Sequence, residues 1–526
     1  MMVRTKPIVP AGHGEVLTRP GFSEWVGLAR ANSEAAEGWT FRVNGLTAAE
    51  MRSLARREAL DAAGVFSERL RIPLTERRDA DGLIVATGHQ PELYHPGVWI
   101  KDFLLQRLSE ESGAAALDVV VDTDGFDTLS VSAPCMRPGV ARCQQYLAVG
   151  GLNTTYAGAP VPSQGDLDDF CQASASMLET LPAPAIARHF AAYCDDLRSA
   201  REDAENLAEL VTISRRRYEA PAGTDYLELP LTRLIQTRAF AAFVCDVARN
   251  AVAFSDAYNS ELDDYRTANK TRNAAQPVPN LGHDGGRIEL PLWSISANQR
   301  ESVWVEGDSA GGLRFSTTSG RALAEFGADE DPSAAFATSG VTFAPKALLL
   351  TLFVRVFCCD LFIHGVGGGR YDSVTDGVCR RYFGIEPPAF VVASITMYLP
   401  LGAHAVTDEE IATAKDRLNR LDHNPDALLG EVEFDSAEER TAAIGFAHEK
   451  TRLVAAIAEP GADRRTIGLA IKEANAALAL LLEPLRQVMC DELAVLESQR
   501  AVSEILTDRT YPFCLWSPQE VADKAR

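Results

Sequence analysis

The chain has 526 residues, too many for one hydrophobic core, and its 46% hydrophobic and 24% charged residues are typical of a soluble globular protein. Its net charge of -22 argues against a general nucleic-acid or anionic-membrane surface, but it is compatible with a local basic pocket for a phosphate. The N-terminus has no signal-peptide core, and no apolar stretch is long enough to span a membrane. The ten cysteines show no CxxC spacing, so we expect reduced thiols and a cytoplasmic protein.

The central prediction is one βαβ unit. A strand at Leu83–Thr87, a turn at Gly88–Gly97 and a helix at Val98–Glu111 lead to a second strand at Leu117–Val121. Both strands are apolar runs of the kind that a parallel sheet buries on both faces. Because ligands of such sheets bind beyond the carboxyl ends of the strands, we expect the functional site there.

A second block with the same α/β pattern lies further along the chain. Between the two blocks, residues 163–269 have apolar steps of three and four, interrupted by prolines, which predicts a helical insertion. The second block is predicted as a helix (Pro345–Cys358), a strand (Asp360–His364), a glycine-rich turn (Gly365–Gly369), a helix (Tyr371–Phe383) and a strand (Ala389–Ala393).

The C-terminal part is predicted to be helical. From Arg464 to Glu504 the apolar steps alternate between four and three, which indicates a coiled-coil seam. Its partner would be Ala437–Ile457 or another subunit, and Pro484 should bend or break the seam. The aromatic tail at 509–520 is expected to dock on another part of the protein. The seam residues are Ile467, Ile471, Ala474, Leu478, Leu481, Leu485 and Val488.

These elements predict an α/β fold. Its parallel, Rossmann-like sheet would be split by a largely helical insertion and followed by a C-terminal helical coiled-coil domain. The predicted ranges are 1–160 and 336–404 for the two parts of the sheet core, 161–335 for the insertion, and 405–526 for the helical domain with its tail.

The first turn, TGHQPELYHPG, offers anion-binding chemistry. Gly88 and Gly97 would let the backbone approach a ligand closely, and the amides that open the next helix favour a phosphate or carboxylate. A neutral imidazole of His89 or His95 can donate a hydrogen bond to the same anion. The alternative is a tight strand–helix connection whose histidines bond to the backbone.

The second turn, HGVGGGR, also follows a strand. It lacks the Lys-Ser/Thr ending of a P-loop and the spacing of GxGxxG. Arg370 at its end would fork onto a phosphate or carboxylate. The alternative is a purely structural glycine turn.

Three carboxylates, Asp122, Asp124 and Asp127, follow the second strand. They would hold Mg²⁺ on a nucleotide or bind a substrate amine, or they form a capped acidic loop. Neither a His/Cys metal site nor a nucleophile motif is predicted.

Residues 83–127 and 343–394 together resemble the bacillithiol-biosynthesis cysteine-adding enzyme family. The likeness lies in the TGQQ-type turn with its helix and acidic strand end, and in the proline-led helix, glycine turn and FG-x-x-x-P strand. It implies a Rossmann-like core akin to class I nucleotidyltransferases and a coiled coil that pairs subunits. The implied reaction is ligation of cysteine to a glucosaminyl-malate acceptor.

The resemblance and the turn chemistry give the expected site. His89 stands where the family usually has glutamine, and Asp-Thr-Asp-Gly at 122–125 replaces a Glu-Asp-His-Asp run, as in a divergent member. The expected catalytic residues are His89, Asp122 and Asp124. The expected substrate- or nucleotide-binding residues are Gly88, Gln90, His95, Gly97, Lys101, His364, Gly365, Gly367, Gly368, Arg370 and Tyr371.

The leading functional hypothesis is a ligase-like enzyme that joins cysteine, or another amino acid or amine, to a small polar acceptor. The cofactor considered is ATP or ADP with Mg²⁺. The expected partners are a small-molecule substrate and a second copy of the chain, with neither nucleic acid nor membrane. The alternatives are a non-catalytic nucleotide- or metabolite-binding regulatory dimer and an assembly protein with a vestigial site.

Overall fold

The computed structural model describes residues 9–74, 79–136, 139–151, 154–273, 276–296, 299–328, 330–402 and 406–526. Within these ranges the strands are β1 (Glu15–Arg19), β2 (Arg42–Val43), β3 (Leu46–Thr47), β4 (Ile84–His89), β5 (Ala115–Val120), β6 (Thr128–Cys135), β7 (Ala141–Val149), β8 (Leu227–Pro230), β9 (His283–Asp284), β10 (Arg287–Ser296), β11 (Gln299–Gly307), β12 (Leu313–Thr317), β13 (Ala322–Phe326), β14 (Thr342–Pro345), β15 (Leu361–His364) and β16 (Val391–Thr396).

The helices of the same ranges are α1 (Trp25–Glu37), α2 (Ala48–Ser67), α3 (Pro96–Ser112), α4 (Gln164–Leu178), α5 (Pro184–Ala200), α6 (Leu207–Glu219), α7 (Leu231–Leu234), α8 (Arg238–Arg249), α9 (Ala251–Asn269), α10 (Pro332–Ser339), α11 (Ala347–Phe353), α12 (Val366–Val378), α13 (Asp408–His423), α14 (Ala437–Ile457), α15 (Arg464–Leu481), α16 (Glu483–Leu506) and α17 (Pro518–Ala525). A π-helical turn extends α11 to Cys358, and another extends α12 to Phe383.

The predicted α/β fold is confirmed at the level of a mixed α/β protein with a C-terminal helical region. The main sheet has the strand order β1-β16-β15-β4-β5-β8. Strands β16, β15, β4, β5 and β8 run parallel, and β1 pairs with β16 in the antiparallel direction. The two predicted strands of the βαβ unit are therefore the neighbours β4 and β5, with α3 between them in sequence.

Helices pack on both faces of the main sheet, which explains its apolar strands. Alternate residues of a strand point to opposite faces. Ile84 and Ala86 of β4 belong to the large hydrophobic core that also contains residues of α2 and α8. Helix α3 packs against β4, β5 and β16. Residues such as Val85 and Ile84 are fully buried because neither face meets water.

A second sheet lies within the segment that was predicted to be mainly helical. Its order is β13-β12-β11-β10-β14, all neighbours are antiparallel, and β9 adds to β10. Alternating apolar residues such as Leu290 and Leu292 of β10 share one core with the main sheet. In addition, β8 of this segment joins the main sheet beside β5. The segment thus contains helices α4–α9 followed by a sheet, rather than helices alone.

The predicted glycine turn at Gly365–Gly369 is wrong. Gly365 is the N-cap of α12, and the helix already begins at Val366, five residues earlier than predicted. The physical reason is close packing. A Cβ at position 369 would collide with Val392 of β16, and one at 368 would lie 2.9 Å from Nδ1 of His364. These glycines allow the start of a helix to approach the sheet.

Contacts divide the chain into two compact units. The first unit comprises Met1–Cys135, Arg142–Leu399 and Arg509–Arg526, and the second comprises Met136–Ala141 and Pro400–Asp508. The first unit thus unites most of the predicted sheet core and the insertion with the C-terminal tail.

In the second unit, α14 packs against α15, so the predicted hairpin partner of the seam lies within the same chain. The expected break is also present, because α15 ends at Leu481 and Pro484 is the second residue of α16. The break changes which residues are buried. After Leu478, the core contains Leu482 and Met489, whereas Val488 of the predicted seam is 52% exposed. The seam therefore does not continue unbroken to Glu504.

The aromatic tail docks as predicted. The backbone N–H of Phe513 donates to the carbonyl oxygen of Tyr94 at 2.7 Å, and the Phe513 ring contacts Trp99. Phe513 is fully buried and Trp516 is 2% exposed. The end of the chain therefore covers α3 of the first unit.

One prediction about the cysteines is wrong. Cys135 and Cys143 form a disulfide between β6 and β7, although reduced thiols were expected throughout. Sequence spacing missed the pair because a hairpin, rather than a CxxC motif, brings the two strands together. The eight other cysteines are free, and all except Cys490 are buried. Among the described residues, no helix combines the length and the apolar character needed to cross a membrane.

Candidate functional site

A cavity of about 650 Å³ opens at the carboxyl ends of β4, β5 and β15. Its walls come from both sheets, from α9 and the loop at 278–281, and from α11 and the N-terminal half of α12. The polar and charged side chains among its lining residues are His89, Gln90, Thr123, Asp124, Tyr258, Asn280, Glu289, Arg300, Ser302, Lys346, Thr351, His364, Tyr371 and Asp372.

The end of β4 forms one wall of the cavity with Gly88, His89 and Gln90. Gly88 is required by close packing, since a Cβ there would lie 2.9 Å from the carbonyl oxygen of Val119. Nδ1 of His89 lies 3.2 Å from the carbonyl oxygen of Gln90 and donates to it, which leaves Nε2 as the acceptor. Burial, and next the positive charge of Lys101, lowers the pKa of His89 to about 3, so the ring is neutral at pH 7.

Asp124 connects the end of β5 with the second sheet. Its carboxylate accepts a hydrogen bond from Nε2 of Gln90 at 3.0 Å and forms an ion pair with Arg300 of β11. The guanidinium of Arg300 also lies 4.7 Å from the ring centre of Trp293. A cation is thereby fixed at the cavity by a carboxylate and an indole.

Lys346 provides a second cation at the same wall. Its Nζ lies 2.8 Å from Oε1 of Glu289 and 3.2 Å from Oγ of Ser302, both on the second sheet. It also lies 4.4 Å from the ring centre of Trp293. Arg300 and Lys346 thus both lie beside the Trp293 ring, and each is paired with a carboxylate.

His364 and Asp372 form a second polar group among the lining residues. Nε2 of His364 lies 2.7 Å from Oδ2 of Asp372, which also receives the guanidinium of Arg355. Burial alone would raise the pKa of Asp372, but Arg355 and then His364 hold it at about 2. The carboxyl is therefore ionised at neutral pH and orients the imidazole.

Asp122, predicted as catalytic, does not line the cavity. It is 2% exposed, and its carboxylate accepts hydrogen bonds from the backbone N–H and the hydroxyl of Thr232. Burial raises its pKa to about 7, although the Thr232 hydrogen bonds oppose that rise. The structure therefore brings only Asp124 of this pair to the cavity.

His95, Gly97 and Lys101 also lie outside the cavity wall. Nδ1 of His95 accepts a hydrogen bond from the backbone N–H of Gly97 and caps α3, as in the structural alternative considered for this turn. Lys101 is 2% exposed, and its Nζ donates to Oγ1 of Thr87 and to the carbonyl oxygen of Gly88, each at 3.0 Å. Lys101 thus stabilises the end of β4 through these two hydrogen bonds.

Of the predicted residues of the second turn, some line the cavity and others do not. His364, Gly368 and Tyr371 line the cavity. Arg370 is exposed and its guanidinium lies over the ring of the adjacent Tyr371, while Gly365 and Gly367 are not lining residues. Arg370 therefore does not line the cavity, whereas the cations Arg300 and Lys346 do.

A buried charge network supports the cavity from the α3 side of the sheet. Arg215 of α6 is its centre, with ion pairs at 2.7 to 3.2 Å to four carboxylates. Burial lowers the pKa of Lys101 in the same network, although Asp102 and Asp118 oppose that shift. The carboxylates around Arg215 are those of Asp102, Asp118, Glu219 and Glu228.

The sequence reasoning missed the contribution of the second sheet. Trp293 and Arg300 come from a strand pair about 200 residues after the first turn, and no short motif marks them. Lys346 carried a usable signal, since it follows Pro345 directly before a helix in the block that had been recognised. Among the described residues, no group of three or more His, Cys, Asp or Glu side chains is arranged to hold a metal ion.

Comparison with known proteins adds no identity. No known protein family matches the chain, and no curated protein matches it.

Proposed function

We propose that this protein is a ligase-like enzyme that binds its substrates in the cavity at the ends of β4, β5 and β15. In this proposal it joins cysteine, or another amino acid or amine, to a small polar acceptor with the help of a nucleoside triphosphate. The supporting observation is that two cations, one indole and two histidines converge on a single cavity.

Strand order supports a Rossmann-like core. The parallel strands β4, β5, β8, β15 and β16 are numbered 1 to 5 in chain order. Across the sheet they lie in the order 3-2-1-4-5, with β4 in the middle beside β15. This is the order of doubly wound sheets, which bind ligands where the direction of winding reverses. The cavity lies at that point, next to Gly88 of β4 and His364 of β15.

The cavity suits a ligand with both an anionic and an aromatic or apolar part. Arg300 and Lys346 would bind phosphate or carboxylate oxygens, and Trp293 with neighbouring apolar side chains would hold a base or another flat group. A nucleotide has both parts. Mg²⁺ would enter with the phosphates, and Asp124 is the described lining carboxylate nearest to the end of β5.

His89 has a narrower role in this proposal than an acid–base residue. With a pKa of about 3, its imidazole is neutral and a weak base at neutral pH. It therefore offers Nε2 as a fixed hydrogen-bond acceptor for a substrate N–H or O–H group.

The second candidate is a non-catalytic nucleotide- or metabolite-binding dimer. The cavity lining supports it as well, since Arg300, Lys346 and Trp293 would bind a ligand without any chemical step. Tight binding of ATP with no product from any substrate pair would favour this candidate over the ligase.

Replacing Lys346 by alanine is expected to weaken ATP binding about 10- to 100-fold, since a charge-assisted hydrogen bond contributes about 1.5–3 kcal/mol. The measurement is isothermal titration of the full chain with ATP. Arg314→Ala is the matched control, because this exposed cation lies on the same sheet, pairs with Glu325 and does not line the cavity. Equal weakening by both variants would show a general charge effect and contradict the placement of the site.

We also propose a homodimer that assembles through the second unit. Val488 and Val495 of α16 are seven residues apart and are 52% and 53% exposed, as expected for a helix face that a second copy covers. Val488→Asp/Val495→Asp is therefore expected to convert the dimer into a monomer in sedimentation velocity. Val252→Asp, an exposed valine of the first unit, should leave the dimer intact. A dimer that survives the double replacement would contradict this interface.

A further inference from the structure

We propose that His364 is the base that removes a proton from the substrate amine and that Asp372 is its positioning residue. This inference rests on the ligase-like function proposed above. The sequence placed His364 only among ligand-binding residues, and no role at all was expected of Asp372.

The contact between the two side chains fixes the tautomer of the imidazole. Asp372 is 2% exposed, stays ionised because Arg355 lies beside it, and accepts the hydrogen bond of His364 at 2.7 Å. Because an ionised carboxylate only accepts, Nε2 carries a proton, and in the unprotonated form of the ring Nδ1 carries the lone pair. A base oriented by a carboxylate is the arrangement that recurs in catalytic triads.

The packing around the ring leaves room beside Nδ1. Phe362 and Phe390 hold the imidazole, with ring centres 4.6 and 5.1 Å away. Gly368 faces the other side, where a Cβ would lie 2.9 Å from Nδ1. Glycine at this position therefore keeps the basic nitrogen open to the cavity that His364 and Gly368 both line.

The charged surroundings of His364 come from several elements. Asp372 and Asp376 lie on α12, and Arg355 of the turn after α11 bridges them. The other charged side chains that line the cavity are Asp124, Glu289, Arg300 and Lys346, and each cation among them is paired with a carboxylate. Asp372 is thus the carboxylate that contacts the ring directly.

His89 is less suited to this role. Its Nδ1 bonds to the backbone of Gln90 rather than to a carboxylate. Its imidazole also lies close to the positive charge of Lys101, which opposes uptake of a proton.

The proposed step gives His364 the first of the two protons that an ammonium group loses on becoming an amide nitrogen. One N–H bond of the substrate ammonium group breaks and an Nδ1–H bond forms on His364. The electron pair left on nitrogen then forms the new bond to the acyl carbon of a carboxyl group that a nucleoside triphosphate has activated. The phosphate-bearing group leaves with the electrons of its C–O bond. The nitrogen loses its second proton to the departing phosphate, which gives the neutral amide, and the proton on Nδ1 passes to water.

The first test needs no substrate. Diethyl pyrocarbonate acylates an open, unprotonated imidazole nitrogen, and mass spectrometry locates the modified histidine. We expect His364 to be modified, with exposed His448 as the internal standard. Asp372→Asn should slow modification of His364 about tenfold, because an asparagine amide can donate to Nε2 and move the proton to Nδ1.

Asp376→Asn is the matched control for the modification of His364. It removes the other carboxylate of Arg355 but does not touch His364, so His364 should react as in the wild type. Gly368→Ala should block the reaction, whereas Gly367→Ala, whose Cβ would meet nothing within 4 Å, should not. An unmodified His364 beside a modified His448, or equal effects of the two aspartate variants, would overturn the proposal.

The second test is turnover with ATP, cysteine and glucosaminyl-malate. His364→Ala should lower the rate about 100-fold or more, and added imidazole should restore part of it. Full turnover in His364→Ala would overturn the base role. Absence of product from the wild type would overturn the ligase assignment and the amine as proton donor. The modification of His364 by diethyl pyrocarbonate separately decides whether Nδ1 is an open base that Asp372 orients.

Discussion

Replacing Arg215 by methionine is expected to lower the free energy of unfolding of the first unit by about 3–5 kcal/mol. Arg215 is 4% exposed, and its guanidinium is the shared partner of several buried carboxylates. Removing it would leave those carboxylates in a low-dielectric interior with fewer cations. The methionine side chain cannot compensate for their mutual repulsion or for their lost hydration. The carboxylates affected are those of Asp102, Asp118, Glu219 and Glu228.

Tryptophan fluorescence during urea unfolding measures this loss selectively, because all six tryptophans lie in the first unit. Arg198→Met is the matched control. Arg198 pairs with Asp168 at the surface of α5, where such a pair contributes about 0–1 kcal/mol. A loss below about 1 kcal/mol for Arg215→Met would mean that the network does not hold the sheet and its cavity together.

Asp122→Asn is expected to change how stability depends on pH. In the folded chain burial raises the pKa of Asp122 to about 7, while an aspartate of the unfolded chain titrates near 3.9. Between these values the folded state holds a proton that the unfolded state has lost, so stability falls as pH rises. The wild type therefore loses roughly 4 kcal/mol between about pH 4 and pH 7 through this one group, and asparagine, which does not titrate, removes that loss.

The observable is the difference in unfolding free energy between Asp122→Asn and the wild type, measured from pH 4.5 to 7.5. Other titrating groups are common to both proteins and cancel in this difference. The unfolding free energy of Asp122→Asn should rise relative to that of the wild type as pH rises. Asp127→Asn, which changes an exposed carboxylate of the same loop, is the control. A difference that stays constant over this range would show that Asp122 is not a buried, protonated carboxyl.

The sequence was informative where the chemistry is local. The apolar runs and turn residues between Leu83 and Asp127 predicted β4, α3 and β5 in the right order, and the break beside Pro484 separates α15 from α16. Apolar periodicity reports burial, and proline acts through its own backbone, so both can be recognised without knowledge of the rest of the fold.

The site was predicted only in part because its walls are assembled from distant segments. Pairing of β10 with β11 and β14 brings Arg300 and Lys346 close to the same indole, and nothing in their local sequence records that pairing. The glycines within 365–369 are predicted to form a turn, but Gly368 and Gly369 permit close packing at the start of α12. That difference of five residues in the helix start is why Arg370 points to solvent.

Residues with an obvious chemical character were also used structurally. Asp122 bonds to Thr232, and His95 caps α3, so two polar residues of the recognised block serve the fold rather than the cavity. Which polar group turns toward a cavity depends on side-chain partners far away in the sequence. Such partners emerge only when the chain is folded.

In the function proposed for this protein, the cavity beside Gly88 and Lys346 binds the substrates of a ligase. The most direct test is the melting temperature of the full chain with ATP, ADP, cysteine and glucosaminyl-malate, each alone and in pairs. A compound at 100 times its dissociation constant should add about 2.7 kcal/mol of stability. We predict an upward shift that Lys346→Ala reduces and Arg314→Ala preserves. Absence of a shift with all four compounds, or one that Lys346→Ala leaves unchanged, would contradict the claim.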